Sequence, residues 1–123
     1  MRVAALGWGL VGAFVALGLA LQKLVEAGTL TSVPLKDFVG AVSVGIVDGE
    51  PLLDLCYEED SRADVDMNIV MTAARKFVEV QATAEHQAFD DAQLEKMMGL
   101  ARKGIQILLS KQKAVLKSLP LLQ

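Results

Sequence analysis

Cysteine and histidine are nearly absent from this chain, whose 123 residues include one of each. A single cysteine cannot form an internal disulfide, so the composition is not that of a disulfide-stabilised secreted module, and a reducing, cytoplasmic location is expected. The usual structural zinc sites need four ligands drawn mostly from these two residue types, and they are excluded as well. A metal site in this protein would have to use oxygen ligands.

An excess of positive charge is also lacking, because 12 Lys and Arg residues face 15 Asp and Glu residues, for a formal net charge of -3. This balance argues against a broad basic surface that holds RNA or DNA by phosphate neutralisation alone, so any nucleic-acid contact must be local. Apolar types make up 53% of the chain, which is ample for a buried core. We expect a single domain over residues 1–123.

The first third of the chain has few charges: residues 3–21 have none, and Arg2 and Lys23 flank them. A helix of this length would extend roughly 28 Å, so a membrane-anchored small domain is one hypothesis. The amphipathic continuation that follows favours a packed helix over residues 3–27 instead. Residues 7–12 also match G-x-G-x-x-G, but no strand–helix–strand unit accompanies the motif, and close helix packing is the preferred interpretation.

Between residues 40 and 82 the pattern changes to that of β-strands. The first strand ends at Asp48-Gly49, a pair typical of a tight hairpin turn. In the last segment, alternation places Phe77, Glu79 and Gln81 on the face opposite to Val78 and Val80. The predicted strands cover residues 40–47, 52–57, 66–72 and 76–82, and their short links predict an antiparallel meander.

From Asp90 onward, apolar residues recur at three- and four-residue steps, which predicts a helix over residues 90–117. Asp90 is the expected N-cap and Gln93 completes a capping box, while Met97 and Met98 are interpreted as core residues. The order helix, four strands, helix predicts an α+β fold, with a four-stranded antiparallel sheet and two long helices packed on one of its faces.

The densest group of candidate functional residues is acidic, with five carboxylates between residues 58 and 66. Ionised carboxylates held this close repel one another, and a bound divalent cation such as Mg²⁺ relieves that repulsion. Composition alone, however, favours a solvated acidic loop. His86 is interpreted as a surface histidine and Cys56 as a small core residue, and no hydrolase triad can be argued. The carboxylates are Glu58, Glu59, Asp60, Asp64 and Asp66.

Four longer motifs occur in a fixed order and are more specific than any of these features. They are AVSVGIVDG at 41–49, DLCYEEDS at 54–61, DVDMNIVMT at 64–72 and FVEVQATAE at 77–85. Together they resemble the ribonuclease PH family over roughly residues 12–116. The resemblance implies half of the ribonuclease PH fold, of the ribosomal protein S5 domain 2-like type. It also implies a phosphorolytic 3′-to-5′ exoribonuclease that trims transfer RNA precursors with inorganic phosphate and releases nucleoside diphosphates.

The resemblance also implies site residues. Asp60 and Asp66 match the aspartates that lie at the family's active site and are associated with Mg²⁺, a cation that would offset charge on the attacked phosphodiester. Arg2 is the candidate phosphate ligand, although the family's G-T-R-T-A motif is incomplete here, since Val3 replaces a threonine. An alignment without a gap puts Leu6 in the arginine's place.

Other departures from the family concern length and glycines. Family members are about twice as long, and this chain resembles their second half. Ala82 replaces a family glycine, and residues 73–75 lack the glycines common in the family hairpin. Because family members form hexameric rings, the expected partners besides RNA are further copies of the chain or a complementary N-terminal half. The alternative function is a catalytically inactive fragment that serves as an oligomerisation or interaction module.

Overall fold

The structure is a computed structural model that describes the backbone of residues 5–53 and 61–116, and the side chains from residue 12 onward within those ranges. Some residues singled out above lie outside the described part of the chain, namely Arg2, Val3, Cys56, Glu58, Glu59 and Asp60, and the side chain of Leu6 lies outside it too. Their predicted roles stay predictions.

Two helices and one four-stranded antiparallel sheet make up the described fold, so the predicted α+β class is confirmed. The last helix begins as predicted: the Asp90 side chain accepts a hydrogen bond from the backbone N–H of Gln93, and the Gln93 side chain accepts one from that of Asp90. The elements are α1 (Ala5–Glu26), β1 (Val39–Val47), β2 (Glu50–Leu53), β3 (Val65–Thr72), β4 (Phe77–Ala84) and α2 (Asp91–Val115).

The strand order is β2-β1-β3-β4, so the predicted meander is wrong at one step: β3 pairs with β1 and not with β2. The composition of the two strands explains the order. β1 is nine residues long and mostly buried, as a central strand requires, whereas β2 has four residues and contains Pro51, which cannot donate to a second neighbour. β2 therefore occupies the edge, and β3 extends the sheet on the other side of β1.

Both helices pack on the same face of the sheet. In β3 the residues at odd positions are buried and those at even positions are half-buried, which is the alternation expected of a strand covered on one side. Val44 lies directly opposite Met67 in the register, and both are fully buried beneath the helices. Met97 of α2 is fully buried in the same core, which confirms its interpretation as a packing residue.

Two contacts hold α2 close to the sheet. A Cβ at Gly104 would come within 2.9 Å of a Leu53 methyl group, so the glycine allows the helix to approach β2 closely. Further along the helix, the buried side chain of Gln112 donates a hydrogen bond from Nε2 to the carbonyl oxygen of Val39 at 2.7 Å. This bond joins the C-terminal part of α2 to the beginning of β1.

Helix α1 contains the G-x-G-x-x-G motif and most of the apolar segment for which a membrane anchor was considered. Residues 7–12 lie inside α1 and not in a loop between a strand and a helix, so their G-x-G-x-x-G spacing does not form a nucleotide-binding turn. Within the residues that the structure describes, no helix combines the length and apolarity needed to cross a membrane.

Candidate active site at the beginning of strand β3

Asp66 is the second residue of β3, and its side chain lies on the sheet face that α1 and α2 leave uncovered, here called the open face. It is half-buried, and the register places it between Gly45 of β1 and Thr83 of β4. Because Gly45 has no side chain, β1 contributes nothing bulky beside the carboxylate. A central strand thus presents an acidic group on the face opposite to the helices.

The segment that leads to Asp66 is held by backbone contacts to two other parts of the chain. Ala63 is fully buried, and the next residue, Asp64, donates its backbone N–H to the carbonyl oxygen of Ile46 at 2.8 Å. The carbonyl oxygen of Asp64 accepts hydrogen bonds from the N–H groups of Glu85 at 2.7 Å and His86 at 3.3 Å. The end of β1 and the residues after β4 therefore fix the position of the acidic segment.

The structure brings together only some of the predicted site residues. Asp64 and Asp66 lie at the beginning of β3, next to the backbone of His86. His86 itself is exposed, as the sequence predicts. Among the described residues, no three His, Cys, Asp or Glu side chains are arranged to hold a metal ion. The predicted pairing of Asp66 with Asp60, and the phosphate-binding role of Arg2, fall on residues outside the description.

A polar row beside Asp66 was not singled out from the sequence. Asn68 follows Asp66 by two residues and so lies on the same open face, where its Oδ1 accepts a hydrogen bond from Ser43 Oγ at 2.8 Å. Gln81 of β4 is the register partner of Asn68 on the other side. The signal was available, because period-two alternation in the D-M-N motif already places Asp66 and Asn68 together. These groups can hydrogen-bond to sugars, base edges or phosphates.

Comparison with protein families gives the chain its class. Residues 37–104 match the model of the 3′ exoribonuclease family, domain 2, and the chain belongs to this family. Among curated proteins, it is 58% identical over 108 residues to Ribonuclease PH of Solibacter usitatus, a match that covers 88% of this chain and 45% of the relative. Ribonuclease PH of Bacillus subtilis is 53% identical over 114 residues, covering 90% and 46%. The resemblance to ribonuclease PH is confirmed, and the chain spans about half the length of these relatives.

Solved structures agree on the fold. A chain of an archaeal exosome core superposes with a TM-score of 0.58 at 22% identity, covering 66% of this chain and 32% of that one. Rice Rrp46 gives a TM-score of 0.58 at 18% identity, covering 83% and 46%. At these identities the likeness concerns the fold alone, and it matches the two helices and four strands described above.

Proposed function

We propose that this chain is the second half of a phosphorolytic 3′-to-5′ exoribonuclease that acts on transfer RNA precursors in the cytoplasm. The observation that best supports this proposal is the position of Asp66, a carboxylate held at the beginning of a central strand on the open face of a ribonuclease PH-type sheet. In the proposed reaction, an oxygen of inorganic phosphate attacks the last phosphodiester. The bond to the 3′ oxygen of the preceding nucleotide breaks, that oxygen takes up a proton, and a nucleoside diphosphate leaves.

Magnesium is the proposed cofactor, with Asp66 and Asp60 as its ligands. The donor set suits this ion, because Mg²⁺ prefers carboxylate oxygens and keeps several waters, so few protein ligands are needed. When bound, it would offset the negative charge that develops on the attacked phosphate and the leaving oxygen. Pairing of β3 on both sides holds Asp66 in place, which limits how far its carboxylate can move during the reaction.

The proposed phosphate site uses residues in addition to Arg2. Arg2 is the one ligand proposed in this chain for the attacking phosphate. A single cation is a weak means of binding a divalent anion and of orienting it against a second phosphate. We infer that a further chain completes the site, either another copy in a ring or a complementary N-terminal half. The net charge of -3 agrees with shared binding of RNA.

The test is phosphate-dependent release of nucleoside diphosphates from a 3′-tailed transfer RNA in the presence of Mg²⁺. We expect release by the wild-type chain, alone or with an added N-terminal half, and loss in Asp66→Asn and Asp60→Asn. Asp48→Asn is the matched control, because Asp48 is an exposed carboxylate whose contact with Arg62 spans 3.8 Å at the surface. No release under any of these conditions by folded protein would contradict the proposal.

One observation favours a second candidate, an oligomerisation or interaction module without catalytic activity. β4 leaves large apolar side chains exposed, with Phe77 at 47%, Val78 at 65% and Val80 at 52% of their full accessibility. Exposed apolar surface at a sheet edge is typical of a contact surface. Self-association that persists in Asp66→Asn, without phosphorolysis by any variant, would support this candidate.

A further inference from the structure

A groove of about 550 Å³ opens between the β3–β4 turn and α2, far from the acidic end of the sheet. We call it the turn–helix groove. Its floor is apolar and consists of Met71, Ile105 and Leu109, which are all buried. Asp66 and Thr72 are six residues apart on β3, so the two ends of the strand are separated by roughly 20 Å. The groove is therefore a different place from the candidate active site.

Positive charge is concentrated around this groove. Arg75 from the turn, together with Arg102 and Lys113 from α2, lines it, and none of the described lining residues is acidic. Arg102 contacts Glu95 at 3.3 Å, but both side chains are well exposed, so this pair is weak and can yield to a stronger anion. In a chain with a net charge of -3, this local group of cations would favour an anionic ligand.

The backbone at Arg75 supports a role for its side chain. Its φ is 63°, in the left-handed region that glycine adopts more easily than any other residue. Two hydrogen bonds hold the turn around Arg75. The Arg75 N–H donates to the Thr72 carbonyl oxygen at 3.0 Å, and the Ala74 N–H donates to Asp37 Oδ2 at 3.0 Å. An arginine is thus kept at the groove despite a conformational cost, as is common where a side chain serves binding.

An aromatic ring lies among the cations. Phe77 lines the groove with about half of its side chain exposed, and a β-bulge puts it there. The register steps from Val70↔Glu79 to Met71↔Phe77, so Val78 is an extra residue in β4. The prediction that Phe77 shares a face with Glu79 is wrong for this reason, because the bulge moves Phe77 to the helix side.

We propose that the turn–helix groove binds a short segment of single-stranded RNA. Its phosphates would lie against Arg75, Arg102 and Lys113, and a base would stack on Phe77. Cations beside an exposed ring are the combination that single-strand-binding grooves use, since each base offers a flat face and each phosphate a charge. An acidic peptide would use the cations but not the ring. The choice of RNA rests on the proposed function, whereas the binding itself requires neither Asp66 nor phosphate.

The test measures binding of a fluorescein-labelled single-stranded RNA, blocked by a 3′ phosphate, by fluorescence anisotropy over a range of salt concentrations. No inorganic phosphate or Mg²⁺ is added, so turnover does not contribute. We expect the triple variant Arg75→Gly, Arg102→Gln, Lys113→Gln to bind the RNA at least about tenfold more weakly. The slope of its log binding constant against log salt concentration should decrease in magnitude by about two, because three phosphate contacts are lost and each contributes about 0.7. Phe77→Leu should lose roughly tenfold with an unchanged slope, because only stacking is removed.

The matched control carries the same charge change outside the groove, with Lys23→Gln on α1 and Lys96→Gln and Lys103→Gln elsewhere on α2. If this control lost as much RNA affinity as the groove variant, the proposal would be overturned. It would also be overturned if a polyglutamate peptide displaced the labelled RNA as effectively as unlabelled RNA does. If the groove variant fails to fold, crosslinking of 4-thiouridine RNA to Phe77 itself, located within the wild-type tryptic peptide 77–96, tests the proposal instead. Absence of a crosslink at Phe77 counts against the groove. Groove-dependent RNA binding by the wild-type chain, without phosphorolysis under any of the conditions given above, would contradict the proposed function alone.

Discussion

The two ends of strand β3 differ in charge, in the sheet face they use and in how they are held. At its beginning, Asp64 and Asp66 form an acidic segment whose second carboxylate lies on the open face. Just beyond its end, Arg75 joins cations of α2 on the helix side. One strand therefore separates two kinds of chemistry by roughly 20 Å, and sheet pairing holds the acidic end while a tight turn holds the basic end.

The contrast assigns a separate task to each end. A carboxylate fixed by strands on both sides suits the placement of a cation and a reacting phosphate, which must be exact. An exposed groove with flexible cations suits contact with a polyanion, which tolerates small displacements. The comparison therefore predicts that catalysis and RNA contact can be removed independently, and the experiments below address this in order of expected effect.

The largest effect is expected for Asp66→Asn. Removing one preorganised charge from the site should reduce release of nucleoside diphosphates by about 100-fold or more. Affinity for the 3′-blocked single-stranded RNA should change by less than about twofold, since the groove is remote and distant sites usually act independently. Parallel phosphorolysis and anisotropy measurements check both. A similar loss in both readouts would break the distinction between the two ends.

Met67→Ala should affect both ends together through the fold. Met67 is fully buried between them, opposite Val44, and truncating such a side chain typically costs about 2–5 kcal/mol of unfolding free energy. Urea unfolding followed by circular dichroism gives the value. Met98→Ala on α2 is the control, because Met98 is half-buried and its truncation should cost clearly less. Equal costs would mean that the core between β3 and the helices is not packed as described.

Arg75→Gly should move stability and binding in opposite directions. Glycine relieves the left-handed strain, so the unfolding free energy should rise by roughly 1 kcal/mol, while RNA binding weakens because one cation is lost. Thermal unfolding and anisotropy on the same protein test this. Arg75→Ala serves as a comparison, since it removes the charge but keeps the strain. A stability gain in both variants would show that the backbone is not the cause.

The smallest effect is expected for Gly99→Ala, which should leave both ends unchanged. Gly99 is exposed on α2, and a Cβ there would meet no atom within 4 Å. Alanine should stabilise the helix by roughly 0.5–1 kcal/mol, with phosphorolysis and RNA binding unaltered. Changes in activity would indicate that α2 must remain deformable for function. A loss of stability would contradict the open surroundings of this residue.

Much of the fold follows from local patterns in the chain. The Asp90 and Gln93 capping box is a four-residue feature, and it was predicted because its geometry depends on sequence spacing alone. Alternation in β3 was also predicted, although the resulting placement of Asp66 and Asn68 on one face was not drawn from it. The family motifs then indicated which carboxylates to examine. Pairing of Asp66 with Asp60 was also predicted, but it lies beyond the residues that the structure describes.

Other features could not be predicted because they depend on residues far apart in the chain. The bond between Gln112 and Val39 joins positions 73 residues apart, and no local pattern indicates it. The neighbour of β3 was mispredicted, since the choice between β1 and β2 depends on which strand can be buried on both sides. Similarly, one bulged residue, Val78, reversed the expected face of Phe77.

Local patterns were enough to predict the elements, their approximate ends, the family and the acidic segment, because capping, periodicity and motif spacing are properties of neighbouring residues. The tertiary structure alone decided the strand order, the open face around Asp66 and the grouping of Arg75, Phe77 and Lys113 in one groove. Burial of apolar surface selects among pairings that are locally equivalent, and its outcome depends on the whole chain. The two ends of β3 thus acquire their separate surroundings only when sheet and helices pack together.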